Sequence, residues 1–155
     1  MTTFIYVPYA SKKDLTNGQY QSGYTRDQWA HYVVERRSSI KKKFETNYDL
    51  LNSVCEKVVS CPKKDVATRT FFGRKTFSFH VELSYAERDA ILELAKIHRH
   101  IAVDGSFVHM SCGDTIDDAK AIMAALVVKQ CNSLKESMET VEFWEPPHIV
   151  VKVDD

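Results

Sequence analysis

Residues 98–112 read HRHIAVDGSFVHMSC. Apolar and polar side chains alternate on both sides of Asp104-Gly105, and an Asp-Gly pair in that setting is the strongest short-range signal of a β-hairpin. With those two residues as the turn, Val103 faces Ser106 and His100 faces His109. The period of two sends Ile101, Val103, Val108 and Met110 to a core and His100, Ala102, Phe107, His109 and Ser111 to the opposite face, with His98 just beyond the strand end. An antiparallel hairpin of this kind points to an α+β fold.

Upstream, Val66 to Leu83 also alternates, around a tight turn at Phe72-Gly73-Arg74-Lys75. In its second strand Phe77, Phe79, Val81 and Leu83 share one side, and Thr76, Ser78, His80 and Glu82 share the other. Helices are expected at about 26–60, 84–97 and 115–136. Thr25-Arg-Asp-Gln28 and Ser84-Tyr-Ala-Glu87 have capping-box form, and Gly113-Asp114-Thr115 offers a turn and a cap. The first helix carries its apolar stripe on Trp29, Val33, Ile40, Phe44, Leu51, Val54 and Val58, as one long helix or two meeting near Thr46-Asn47. Strands are expected at Phe4 to Tyr9, Val141 to Trp144 and His148 to Val153. The whole reads as one α+β domain, residues 1–155, with a largely antiparallel five- to seven-stranded sheet and three amphipathic helices packed on one face.

At 155 residues, 44% hydrophobic and 27% charged, with 5 Gly and 4 Pro, the chain has the composition of an ordered globular domain. MTTFIYVPYASKK lacks a basic lead before a long apolar run, and no apolar stretch approaches the ~20 residues that span a bilayer. Cys55, Cys61, Cys112 and Cys131 form no CxxC pair. A cytoplasmic protein with free thiols and no membrane association is therefore expected. Net charge is zero, yet residues 1–75 carry 14 Lys/Arg against 7 Asp/Glu and residues 76–155 the reverse. The opposed halves suit a homodimer, and the basic segment Arg36, Arg37, Lys41, Lys42 and Lys43 suits phosphates. Duplex DNA is disfavoured by the zero overall charge.

Chemistry concentrates on the polar sheet face, where His80, Glu82, His100, His109 and Ser111 are expected, with His148 and Lys152 from the last strand. Two imidazoles flanking a phosphodiester can take a proton from an attacking hydroxyl and return one to the leaving oxygen. Ser111, Lys152 or Arg69 would hold the phosphate. Trp144, beside Glu145-Pro-Pro147, either caps a pocket next to His148 or forms a rigid corner. Tyr9, Tyr20 and Tyr24 flank a long loop, roughly residues 10–24, and offer aromatic contacts to a ligand.

His109-Met-Ser111 resembles the His-x-Thr/Ser element of two-histidine phosphoesterases, a resemblance of three residues. It implies metal-independent action on cyclic or 2′,3′-linked phosphates. The second element of that family is missing, since His80 is followed by Val-Glu82 and His148 by Ile-Val150. A zinc set of His98, His100, His109 and Cys112 fails on register, because Cys112 and His109 point to opposite faces of an extended strand. P-loop, G-x-G-x-x-G, G-x-S-x-G and H-E-x-x-H motifs are absent, so no metal and no cofactor is implied. Two functions fit. One is a small phosphodiesterase or nuclease acting on RNA or a small cyclic nucleotide through His109 with His80 or His100. The other is a non-enzymatic binding or regulatory protein that sequesters a nucleotide or a partner protein.

Overall fold

The computed structural model describes residues 2–9 and 23–154. Among them are six strands, β1 (Thr2–Pro8), β2 (Val66–Phe71), β3 (Arg74–His80), β4 (Ile101–Asp104), β5 (Phe107–Met110) and β6 (His148–Asp154), with three α-helices, α1 (Arg26–Val59), α2 (Tyr85–Ile97) and α3 (Ile116–Thr140). The fold is α+β with two antiparallel sheets, one of order β1-β6 and one of order β2-β3-β5-β4. No helix among the described residues is long and apolar enough to cross a membrane. Tyr20 and most of the proposed loop at residues 10–24 lie outside the described residues.

Each helix begins where side chains satisfy free backbone amides. The Thr25 amide donates to Gln28 Oε1 (3.0 Å) and the Gln28 amide to Thr25 Oγ1 (3.4 Å). The Ser84 amide donates to Glu87 Oε1 (3.0 Å) and the Glu87 amide to Ser84 Oγ (3.1 Å). At the third helix the Thr115 amide donates to Asp118 Oδ2 (3.2 Å) and the Asp118 amide to Thr115 Oγ1 (3.1 Å). Caps of this kind are each worth about 1 kcal/mol. α1 is unbroken through Thr46-Asn47.

The chain divides into two compact units, one of residues Met1–Lys43 with Met138–Asp155 and one of Phe44–Ser137. In the first, β1 and β6 pair from Thr2↔Asp154 to Pro8↔His148. Tyr6 exchanges backbone hydrogen bonds with Tyr24, and Trp29 stacks on Tyr6 at 5.7 Å and lies 4.6 Å from the His148 ring. Gly23 allows this approach: a Cβ there would sit 2.1 Å from Ile5 Cγ2.

Two expectations are corrected here. The last strand joins β1 in a separate ribbon, so the sheet of five to seven strands is replaced by one of four and one of two. Val141–Phe143 is a 3-10 turn, not a strand. Thr140 keeps helical angles (φ −66, ψ −32), so the helix runs past its expected end and tightens before Pro146 can stop it.

In the second unit, Phe77, Phe79, Val81, Ile101, Val108 and Met110 are buried on alternate strand positions. Leu51, Val54, Val58, Ile91, Leu94, Ala119, Met123 and Val127 from the helices complete that core. Glu87 is buried with them, 6% exposed. Lys57 Nζ (2.9 Å), Ser53 Oγ (2.8 Å) and the Ser84 amide donate to it. The Lys57 ammonium, helped by the Ser84 and Ser53 donors and opposed by burial, holds the Glu87 carboxyl down at about 2.

Candidate functional site

The four-stranded sheet buries one face and leaves the other open. Its register fixes which side chains meet there. Arg69 pairs with Thr76, whose Oγ1 lies 3.3 Å from Ser111 Oγ. Ala67 pairs with Ser78, Ser78 with His109, and His109 with Ala102. His80 pairs with Phe107, and Phe107 with Asp104. Small residues at both ends of the middle row leave the His109 ring uncovered from the sides.

Phe107 is 40% exposed, an apolar ring left open on a polar face. Its ring lies 5.0 Å from that of His80 and 6.1 Å from that of His109, the latter nearly parallel at 12°. Ser78 Oγ and His109 Nδ1 are 2.7 Å apart. The hydrogen bond anchors His109 through Nδ1. An aromatic ring, rather than a gap the size of a phosphate, is thus the near neighbour of both imidazoles.

One end of the same sheet opens into a cavity of about 620 Å³ lined by Gly73, Arg74, Lys75, Arg99, His100, Ser111, Cys112, Gly113 and Asp114. These residues belong to the start of β3, the turn before β4 and the end of β5. The antiparallel order brings all three to one edge. Three permanent cations face one carboxylate there, so the cavity favours anions. Lys75 Nζ donates to the Asp114 carbonyl (3.1 Å), which fixes its position. Gly113, at φ +87, leaves no room for a side chain: a Cβ would meet the Ala119 amide nitrogen at 3.0 Å. Cys112 is no activated nucleophile, since burial pushes its thiol up.

Of the residues expected to act, His80, His109 and Arg69 share the open face, and His100 and Ser111 line the cavity at its end. Glu82 is exposed just past β3, and its carbonyl accepts from Lys57 Nζ (2.8 Å). His100 does not face His109. Ala102 does, because Gly105, at φ +58, takes the first turn position and Ser106 the second, moving the register by two.

Tyr9, Trp144, His148 and Lys152 belong to the first unit. Lys152 pairs with Phe4, and the Tyr9 amide donates to the Pro147 carbonyl (3.0 Å). His148 Nδ1 donates to the Pro146 carbonyl (2.9 Å), while the Trp144 carbonyl accepts from Arg37 Nε. All four lie in the unit of the β1–β6 ribbon and take no place in the four-stranded sheet.

Sequence reasoning passed over Phe107 as a contact residue, and Arg74, Lys75 and Arg99 as one cluster. Their signal was present: each basic residue sits beside a strand start at the same sheet end. It became readable only with the strand order. Among the described residues no group of three or more His, Cys, Asp and Glu side chains is placed to hold a metal ion. No protein-family model, curated protein or solved structure matches the chain.

Proposed function

We propose that this chain is a binding protein for a nucleotide ligand, held base-first on the open sheet face and phosphate-first in the basic cavity. The observation that carries the reading is Phe107, exposed between two imidazoles and next to rows of small or polar residues. Every nucleobase has a π face, and stacking on an aromatic side chain is worth about 1–3 kcal/mol. From His109, whose ring lies nearly parallel to that of Phe107, to Ser111 is two strand residues, about 7 Å, a spacing that suits a base lodged against the His109 ring beside Phe107 with its phosphate at Arg74, Arg99 and His100. Such a pocket needs few positive charges, which agrees with a chain of zero net charge. Free thiols on all four cysteines suit a reducing compartment such as the cytoplasm.

Isothermal titration with the four nucleoside monophosphates and with 2′,3′-cyclic nucleotides tests the reading. Binding is expected for at least one of them, weakened about 5- to 150-fold by Phe107→Ala. Binding unaffected by that change would remove the open face from the account.

The phosphodiesterase reading keeps one specific support, the 2.7 Å contact between Ser78 and His109. Its demand is that the His109 Nε2 exchange a proton with substrate while His80 or His100 serves the other oxygen. Chromatography of the same panel after incubation with EDTA separates the two. Product lost in His109→Ala would make the chain an enzyme; recovery of intact ligand keeps it a binding protein.

A further inference from the structure

The β2–β3 hairpin ends in an unusual turn. Phe72 and Gly73 both have positive φ, +50 and +77, as a type I′ turn requires. Asn or Gly adopts that conformation readily, whereas a bulky aromatic residue there is strained. Phe72 is 91% exposed and Phe71 70% exposed, with their rings in edge contact at 4.4 Å. The protein's own packing therefore does not offset the strain at Phe72. Strain held without internal compensation points outward, to a ligand.

Register shows what that ligand meets next. Phe71 pairs with Arg74, and Arg69 with Thr76, on the same alternation as Ser78 and His80. Phe71 therefore belongs to the open face, one row beyond Arg69, Thr76 and Ser111. Gly73, Arg74 and Lys75, which follow the tip directly, line the basic cavity. Aromatic surface thus occurs at both ends of a polar and cationic middle, with Phe107 and His109 at one end and Phe71 and Phe72 at the other.

The separation identifies the ligand class. From the Phe107 row to the Phe71 row there are three row steps along the strands and two strand spacings, about 22 Å on a flat sheet. A single nucleotide reaches from the His109 ring to the cavity and no farther. A chain of nucleotides reaches both rings, with a backbone phosphate at the cations between them. We infer that the ligand is a single-stranded oligonucleotide, stacked on Phe107 at one end of the sheet face and on the Phe71-Phe72 tip at the other. This rests on the nucleotide-binding reading of the same face. Charge favours this occupant, because Arg69, Arg74 and Lys75 surround the tip while its apolar rings are too few to cover a protein interface core.

The test is fluorescence anisotropy with a labelled mixed-sequence RNA octamer, alongside titration of the mononucleotides, on wild type and Phe72→Asn. Asparagine suits the turn, so the variant folds. The octamer is expected to bind at least tenfold more tightly than any mononucleotide, and Phe72→Asn to weaken the octamer about 5- to 150-fold while leaving mononucleotides unchanged. An octamer no tighter than a mononucleotide, or indifferent to Phe72→Asn, would overturn the inference and leave the nucleotide reading standing. Failure of wild type to bind either would overturn both. Octamer binding abolished by Phe107→Ala yet untouched at the tip would assign Phe72 to a protein or lipid partner and likewise overturn it.

Discussion

Ser78 and His109 face each other across the β3–β5 ladder, with Ser78 Oγ and His109 Nδ1 2.7 Å apart. The bond fixes the ring nearly parallel to Phe107. Removing the hydroxyl in Ser78→Ala leaves the imidazole free to rotate. The expected cost is about 1 kcal/mol in urea denaturation, with a several-fold loss of nucleotide affinity because the stacking surface is no longer held. An unchanged affinity would mean that His109 has no part in the surface.

Phe72→Asn is expected to raise stability by about 1 kcal/mol, since asparagine enters the left-handed region at less cost than phenylalanine. A thermal melt reads it as an increase in Tm of a few degrees. Stability gained and oligonucleotide affinity lost in one substitution is the mark of a residue kept for contact. A fall in Tm would mean that Phe72 packs in a way its exposure does not reveal.

Gly113→Ala is expected to destabilise by about 1–3 kcal/mol. The position has φ +87 and a Cβ would approach backbone atoms at the start of α3. The loop Cys112–Asp114 lines the basic cavity, so phosphate affinity falls with it.

Glu87 sets an acid limit on the fold. Its folded pKa of about 2 lies below the ordinary carboxylate value of 4.5, so the unfolded state binds the proton more readily. The contribution, on the order of 2 kcal/mol, is fully present above about pH 4.5 and is lost as pH falls toward 2. Lys57→Met, which leaves the carboxylate with its serine and amide donors alone, is expected to move the acid-unfolding midpoint upward. Circular dichroism at 222 nm against pH checks it; a midpoint unmoved by the substitution would show that the serines suffice.

The helices were legible because their starts are local chemistry: Thr25 with Gln28, and Ser84 with Glu87, are spelled out three residues apart. So were the faces of both hairpins, since a two-residue register shift preserves alternation. The pairing of His109 was not, because Asp104-Gly105 and Gly105-Ser106 are both acceptable turns, and only the pairing of Asp104 with Phe107 decides between them. The partner of β6 was hidden for a different reason. β1 and β6 lie at opposite ends of the chain, and nothing local in His148–Asp154 says which edge it will join. Alternation alone puts Phe107 on the correct face, yet its place between His80 and His109 depends on β3 pairing β5, a long-range choice that no turn motif encodes.

Nuclear magnetic resonance mapping tests most directly whether the open sheet face is where ligand binds. A mixture of nucleoside monophosphates is added to the isotope-labelled protein, and amide and ring shifts are followed. Changes are expected at Ser78, His80, Phe107, His109 and Ser111, and at Arg74, Arg99 and His100 around the cavity. Shifts confined to the β1–β6 ribbon, or none at millimolar ligand, would contradict nucleotide binding at this face.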